Sequence, residues 1–247
     1  MRTATGLMLI ATAGILGAGT TARGADAGVD LPILSAYVWR GQMLNDEAVI
    51  QPALNVEKDG FGVNVWANYD ATDRGETHAD FSEVDLTVSY GGQWGAMEYG
   101  VGVIEYLFPN TDVSSTREVY GSLSLPDASL AVPTLSVYRD VEEADGFYAS
   151  LALSKEIALG DTTTLELIAS IGAADEDYNA FYFGVDDAAL NDVTTGAKVS
   201  FALSKTVTLT PGIQYAWLPD SDIRAGAKAL YKDDNPFWGS LMLSVVL

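Results

Sequence analysis

The feature that most constrains this chain is a two-residue alternation of apolar and polar side chains that recurs along most of its length. In one segment, Val84, Leu86, Val88 and Tyr90 alternate with polar or charged residues. Successive side chains of a β-strand point to opposite faces, so each such segment has an apolar face and a mostly polar face. The pattern therefore predicts an all-β protein.

About twelve segments carry this alternation, and most have roughly the ten residues that a tilted strand needs to cross a bilayer. They are 31–40, 49–57, 61–70, 81–90, 96–108, 116–125, 131–139, 146–155, 162–172, 193–203, 206–217 and 236–247. Short connections, such as 58–60 and 204–205, alternate with mostly longer acidic ones, such as 173–192 and 218–235. This predicts a closed antiparallel transmembrane β-barrel with short periplasmic turns and longer acidic external loops.

The predicted external loops are rich in carboxylates. These are Asp70, Asp73, Glu76, Asp80, Glu142, Glu143, Asp175, Glu176 and Asp177. Such loops can bind Ca²⁺ or bridge divalent ions to lipopolysaccharide, but the twelve-residue calcium loop is missing, so hydrated surface charge is the favoured interpretation. Within the loops, 178–185 resembles a strand, either a hairpin extension or a thirteenth strand. The segment 221–232 has weak helical character.

The amino terminus has the features of an export signal. Arg2 is followed by an apolar run over 7–19 and by an A-x-A cleavage motif at 25–27, with a second candidate site at 22–24. The run is shorter than the roughly 20 residues of a membrane-spanning helix, which disfavours the alternative of an uncleaved anchor. We therefore expect a cleaved signal peptide over 1–27 and a single barrel domain over 28–247, located in the outer membrane.

Composition excludes several classes of function. A net charge of −21 and a pI of about 4.1 argue against nucleic acid as a partner, which requires clustered Lys and Arg. There is no cysteine and a single histidine, His78, so no zinc ligand set exists. A Ser-His-Asp site would have to use His78, and no nucleophile elbow accompanies it. We expect a solvated loop histidine, no enzyme activity, and no cofactor or metal site.

The polar faces of the predicted strands indicate what lines the barrel. A Lys or Arg that faces lipid at mid-depth costs about 2–4 kcal/mol, so charged groups are expected to line the lumen. The candidates are Gln51, Asn55, Asn64, Asn68, Glu83, Asp85, Glu118, Arg139, Glu166, Lys198 and Gln214. Carboxylates outnumber bases, so an open lumen would prefer cations. Alternatively, Arg40, Arg139 and Lys198 pair with these acids and plug the lumen.

Short motifs resemble known barrel families. The segment 35–41, SAYVWRG, resembles the aromatic-Arg-Gly end of the first strand in TorF-family porins, and 62–68, 83–90, 102–109 and 116–120 extend this resemblance. The segment 182–185 before the last strands is similar to MipA/OmpV barrels. Both resemblances imply an outer-membrane barrel and supply no catalytic residues. The MipA/OmpV resemblance implies a scaffold for a murein-processing partner.

Three functions are therefore compared. The first is a porin for passive diffusion of small solutes, weakly cation-preferring. The second is a non-conducting scaffold barrel that engages a periplasmic protein partner. The third is a soluble secreted β-sandwich binding module. The first two imply contact with outer-membrane lipid and lipopolysaccharide, and the first also implies small solutes or cations in the lumen.

Overall fold

The computed structural model describes residues 25–72, 80–231 and 233–247. They form fifteen β-strands and two helices. In chain order these are β1 (Asp26–Leu34), β2 (Tyr37–Trp39), β3 (Gln42–Asn45), β4 (Val49–Ile50), β5 (Ala53–Lys58), β6 (Phe61–Asp70), β7 (Phe81–Trp94), β8 (Met97–Leu107), β9 (Thr116–Ser124), β10 (Val132–Asp140), β11 (Phe147–Ala158), β12 (Thr163–Ala174), α1 (Glu176–Phe183), β13 (Ala189–Ala202), β14 (Val207–Trp217), α2 (Ser221–Leu230) and β15 (Phe237–Val246).

The main sheet closes on itself. Each wall strand pairs antiparallel with its neighbour in sequence, and β15 pairs with β1 from Gly28 opposite Val246 to Leu34 opposite Ser240. The strands β4 and β5 are two halves of one wall strand, interrupted at Pro52, which has no amide hydrogen to donate. The wall therefore has twelve strands, as predicted. One closed sheet contradicts the β-sandwich hypothesis, which needs two packed sheets.

The two faces of the wall differ as the alternation predicts. In β9, Val119 and Leu123 are exposed on the outer surface, whereas Glu118 and Ser122 are buried inside. Apolar side chains are exposed in the same way on other strands, including Leu54, Val63, Val88, Val103, Leu135, Leu151, Leu167, Ile213 and Leu241. An apolar belt of this extent favours contact with hydrocarbon, and closure leaves no strand edge unpaired in lipid.

The connections segregate by length between the two ends of the barrel. The short turns, including the positive-φ pair Asp59 and Gly60, lie at the end of the barrel where β1 begins and β15 ends. The longer connections, including 175–188 and 218–236, lie at the opposite end, and α1 and α2 form within them. We call these the short-turn end and the external end.

Two sequence predictions are corrected by the structure. The first wall strand is Asp26–Leu34 rather than 31–40, and the chain leaves the wall at residue 35 to form the separate β2–β3 hairpin. The segment 178–185 is mostly helical (α1) rather than a strand, because Asp175 caps its start and Gly184 ends it in the left-handed conformation. The predicted helix in 221–232 is confirmed as α2.

Among the described residues, no helix is long and apolar enough to span a membrane.

Candidate functional site

The connection between β1 and β4 folds into the barrel instead of projecting outward. Its β2–β3 hairpin buries Tyr37 and Gln42, and the Tyr37 hydroxyl donates to Glu83 on the inner wall at 2.9 Å. The hairpin turns at Arg40 and Gly41, which both have positive φ. The connection over 41–48, which lies between the first two predicted strands, thus belongs largely to an internal plug.

Glycine is required at the tip of this hairpin. A Cβ added to Gly41 would lie 2.6 Å from Leu218 Cδ2 and 2.9 Å from Asp192 Cβ, both closer than carbon atoms normally approach. The backbone of Gly41 also has a φ of 78°, which favours glycine. The absence of a side chain therefore lets the tip approach the wall closely enough for Arg40 to reach its partners.

Arg40 is the centre of the plug. Its Nη1 and Nη2 atoms donate to Oε1 and Oε2 of Glu118 at 2.6 and 2.8 Å. Its Cζ atom lies 4.4 Å from the ring centroids of Trp39, Tyr138 and Tyr148. Burial, the largest single effect, would lower the pKa of Arg40, but the charge and hydrogen bonds of Glu118 and the nearby tyrosine hydroxyls together outweigh it and hold that pKa well above its usual value. The buried arginine therefore remains a paired cation.

Tyrosine rings from several strands surround the arginine. Tyr120, Tyr138 and Tyr148 face inward from β9, β10 and β11, with Tyr120 stacked on Tyr138 at a centroid distance of 5.6 Å. Tyr148 is also 5.6 Å from the ring of Tyr178 in α1. The Tyr106 hydroxyl donates to Glu118 at 2.8 Å, so one carboxylate accepts from both Arg40 and Tyr106.

The two helices cover the hairpin at the external end. The α1 residues Tyr178 and Phe183 are buried, as is Ile223 of α2. Gly226 of α2 packs directly against the carbonyl of Phe183, and the Tyr231 hydroxyl donates to the Tyr182 carbonyl at 2.7 Å. Burial raises the pKa of Tyr178 well above its usual range, because an anionic phenolate would lose its hydration there. Hairpin and helices together fill the external half of the barrel.

A cavity of about 120 Å³ adjoins the plug and extends toward the short-turn end. Arg40, Trp39 and Asp192 line the part of the cavity next to the plug. Hydroxyl and amide groups on the wall contribute much of the polar lining, including Thr134, Ser150, Ser154, Ser170, Thr194 and Gln214. The cavity therefore has polar groups from several wall strands beside the exposed face of the plug, within a lining that is more apolar than polar.

Most of the predicted lumen residues have their side chains on the inner face. These are Gln51, Asn55, Asn64, Asn68, Glu83, Asp85, Glu118, Glu166, Lys198 and Gln214. The Lys198 Nζ atom lies 4.0 Å from Glu166 Oε2. Arg139 is on the outer face instead, where it pairs with Asp145 at 2.5 Å and lies over Phe147. Arg40 pairs with an acid of the lumen, as the plugged alternative predicted, whereas Arg139 pairs on the outer rim.

Asn and Gln side chains link neighbouring wall strands on the inner face. Asn64 donates to Asn55, which donates to Asp30, with distances of 2.7 and 3.0 Å. Gln51 donates to Asn68 at 3.0 Å. These amides therefore have partners within the wall, near the seam between first and last strands.

Several acids predicted in hydrated loops have structural partners. Asp70 ends β6 and accepts from the side chains of Asn45 and Asn68 at 2.6 and 3.0 Å. Asp175 accepts from the backbone amides of Phe147 and Tyr178. The others have varied settings: Glu142 pairs with Arg117, Glu176 and Asp177 lie in the first turn of α1, and Asp80 and Glu143 are exposed.

Asp73, Glu76 and His78 lie outside the described residues, as does most of the predicted signal peptide. Within 25–72, 80–231 and 233–247, no group of three acidic, histidine or cysteine side chains is arranged to hold a metal ion.

The aromatic surroundings of Arg40 were not identified as a site from the sequence. A signal existed: Tyr120, Tyr138 and Tyr148 occupy the polar-face positions of their strands, where polar or small residues dominate. A bulky ring at several inward positions indicates a filled region of a lumen, which alternation alone does not distinguish from lipid contact.

The family described as "Bacterial protein of unknown function (Gcw_chp)" matches residues 19–202. The chain belongs to the Gcw_chp family. None of the curated proteins matches this sequence. The family therefore places the chain among bacterial proteins and leaves the activity to be argued from the barrel.

Solved structures with a similar fold are outer-membrane barrels. The KdgM porin in complex with disordered oligogalacturonate has a TM-score of 0.56 and 8% identity, with 88% of this chain and 98% of that chain covered. The NanC porin has a TM-score of 0.51 and 12% identity, with the same coverage. An outer-membrane channel from Pseudomonas putida F1 has a TM-score of 0.50 and 8% identity, covering 90% and 95%. This Gcw_chp chain thus has the fold of porin-like outer-membrane barrels.

Proposed function

We propose that this chain is an outer-membrane channel for passive diffusion of small solutes, and that the β2–β3 hairpin holds it closed. The proposal depends on one observation: the lumen is blocked by an inserted connection, the β2–β3 hairpin, and not by the wall. The wall itself has a polar inner face from the Asn55–Asn64 pair at the short-turn end to Glu118 near the external end.

The charge of the inner wall supports a preference for cations. Buried or part-buried carboxylates on this face are Asp30, Glu83, Asp85, Glu118, Asp140, Glu166 and Asp192. The basic side chains facing the lumen include Lys198 from the wall and Arg40 from the hairpin, and Arg40 is neutralised by Glu118. When the hairpin moves away, the exposed Glu118 adds to the negative potential of the lumen, which favours cations over anions.

Export to the outer membrane is part of this proposal. The amino-terminal segment has the composition of a signal peptide, and the wall begins at Asp26. Asp26 and Ala27 pair with Glu57 and Val56, and the Ala27 carbonyl accepts from the amide of Leu247. Cleavage after Ala27 would remove two paired residues of the wall. The pairing therefore supports cleavage at the upstream 22–24 site.

Conductance in planar bilayers tests the channel. We expect the purified wild-type barrel to be mostly closed, and Arg40→Ala to raise the mean conductance at least about tenfold, because removing one partner of a buried ion pair destabilises the closed state by about 3–5 kcal/mol. Arg139→Ala removes an arginine with a similar ion pair and ring contact on the outer rim, so it should behave as the wild type. Reversal potentials in a KCl gradient measure the cation preference.

The channel proposal fails if folded Arg40→Ala, confirmed by heat-modifiable migration on a gel, is as silent as the wild type. A tenfold change that Arg139→Ala also produces would equally contradict it, because the change would then not depend on the hairpin.

A second candidate is a non-conducting scaffold barrel that engages a periplasmic partner. The filled external half of the lumen favours it, since a permanent plug would serve structure alone. The resemblance of 182–185 to MipA/OmpV barrels agrees with this alternative. Cross-linking in intact envelopes, with residues of the short turns 125–131 and 203–206 as attachment points, would identify such a partner. A folded, silent barrel with a reproducible cross-linked partner supports this second function.

A further inference from the structure

The surroundings of Arg40 form a site for a planar cation that is occupied by the chain itself. Glu118 accepts two parallel hydrogen bonds from the guanidinium, at 2.6 and 2.8 Å. Rings of Tyr138 and Tyr148 contact it at 4.4 Å, and that of Tyr178 lies 5.8 Å away. A carboxylate fork combined with aromatic faces satisfies both the edge and the faces of a guanidinium group.

We call the carboxylate of Glu118 and the aromatic rings around the Arg40 guanidinium the box. Most of this box belongs to the barrel and not to the hairpin. Glu118 lies on β9, Tyr138 on β10 and Tyr148 on β11, and Tyr178 belongs to α1. The orientation of two of these groups is fixed independently of Arg40, because Glu118 accepts from Tyr106 and Tyr148 donates to Asp192, both at 2.8 Å. The box therefore persists when the hairpin withdraws.

The box also has a route for a free solute. Arg40, Tyr138, Tyr148 and Asp192 all line the cavity that extends toward the short-turn end. A small solute that enters the lumen from this end reaches the guanidinium without crossing the apolar cluster of α1 and α2.

We propose that this box is a binding site for small guanidinium-type organic cations, and that Arg40 is its tethered occupant. This inference rests on the proposed channel function, in which the hairpin moves, and it names the solute class that the closed site recognises. A free guanidinium solute competes with Arg40 for Glu118 and the tyrosine rings. In the wild type the tether gives Arg40 a high effective concentration, so binding of the free solute is weak.

The geometry selects guanidinium over other cations. An ammonium group has no planar pair of N–H groups to match both oxygens of Glu118 at once. A hard divalent ion requires about six oxygen ligands, whereas aromatic faces make up much of this box. A neutral urea has the planar shape but lacks the charge that both the carboxylate and the ring faces attract.

Ligand binding to Arg40→Ala, measured without any conduction, tests the inference. The probe is ethylguanidinium chloride at millimolar concentration, titrated into detergent-folded protein, and the readout is the midpoint temperature of heat-modifiable migration. We expect a saturable rise for Arg40→Ala, with half-saturation at least about tenfold lower than in the wild type, because ligand that binds the folded state stabilises it. Arg139→Ala should match the wild type, and N-ethylurea and ethylammonium should give no saturable rise with Arg40→Ala.

A second variant shows that the site is the box. Arg40→Ala combined with Glu118→Gln retains the cavity and the rings but loses the anionic fork, so the ethylguanidinium response should disappear. Absence of a saturable response in Arg40→Ala overturns the inference, as does a response that survives Glu118→Gln. The inference also requires that the barrel can form the box without Arg40. It is therefore overturned if both Arg40→Ala and Arg40→Gln fail to fold, whether or not ethylguanidinium is present. Since these outcomes use binding alone, they are separate from failure to conduct.

Discussion

The guanidinium of Arg40 and the carboxylate of Glu118 form a two-point ion pair, although the residues are 78 positions apart and lie in the hairpin turn and the wall, respectively. The side chains of both are almost fully buried, with exposures of 8% and 1%. Because a buried charge without its partner is costly, loss of either residue leaves an unpaired charge in the lumen and destabilises the barrel.

A double-mutant cycle measures this dependence. Arg40→Ala and Glu118→Gln should each destabilise the barrel, and the double variant should lose less than the sum of the two, with a coupling of about 0.5–3 kcal/mol. Unfolding midpoints in urea with folded lipid-bound protein supply the free energies. The cycle of Arg40 with Lys198, which pairs with Glu166 elsewhere on the wall, is the control and should be additive. Additive effects for the first pair would refute the dependence.

Packing between the two external helices depends on Gly226. A Cβ at this position overlaps the carbonyl of Phe183, whereas a Cβ at Gly160 in a short turn meets no atom within 4 Å. We expect Gly226→Ala to separate α1 from α2, lower stability by about 1–3 kcal/mol and speed proteolysis of the external helices. Gly160→Ala should leave both measurements at wild-type values. Equal protease resistance in the two variants would show that the helices do not pack as described.

Alkaline pH should release the hairpin. Burial, followed by the nearby Glu83 charge, raises the pKa of Tyr37 well above its ordinary value of about 10. A raised pKa in the docked state means that docking is fully stable below about pH 10 and weakens as pH rises through the raised value, since the undocked tyrosine ionises first. Conductance should therefore rise above about pH 10, and Tyr37→Phe should show a smaller rise. An identical pH profile in both proteins would exclude Tyr37 as a cause.

Contact of the belt with lipid predicts that a lysine substitution costs more folding free energy at Val88 than at Leu130. Val88 lies midway along β7 with 58% exposure, and Leu130 lies in a short turn with 85% exposure. Val88→Lys should cost about 2–4 kcal/mol of folding free energy in bilayers, because its charge would lie near the midplane, and Leu130→Lys about 0–1 kcal/mol. Refolding into vesicles across a urea series gives both values. A small cost at Val88 would argue that hydrocarbon does not surround the belt.

The mature amino terminus is a further prediction. Because Asp26 and Ala27 pair with β5, intact-mass measurement of protein from outer membranes should show a chain that retains both residues, consistent with cleavage at the 22–24 site. A chain that begins at Gly28 would support the 25–27 site instead and would show that the wall tolerates the loss of these pairs.

Alternation predicted the wall well where one face is consistently apolar. The bounds of β6, 61–70, are those expected from Phe61, Val63 and Val65, all exposed to the outside. The first strand was misplaced because 31–40 is apolar on both possible faces, so its alternation is ambiguous and marks no end. Ser35 still bonds the wall through its backbone amide and side chain to Gly239, and the chain then turns inward. Period alone cannot locate that departure.

The plug could be predicted only in part. The alternative that Arg40 pairs with a lumen acid is confirmed, but its choice of Glu118 depends on the curvature of the whole wall. The helix α1 was not predicted, because its segment contains aromatic residues of high strand propensity, including Tyr178, Phe181 and Tyr182. Its cap at Asp175 and its packing against the hairpin outweigh that propensity, and the packing is a tertiary effect that local sequence does not record.

The position of the hairpin determines the route by which it can enter or leave the lumen. It is joined by residues 35–36 to β1, the strand whose pairing with β15 completes the ring. Its anchor, Glu118, lies on β9, far from that seam in the strand order. Because the pairing of β1 with β15 leaves no lateral opening between these strands, a hairpin that moves in the closed ring must pass through the external end, where both of its ends join the wall. Release of the hairpin would therefore open the lumen first at the external end.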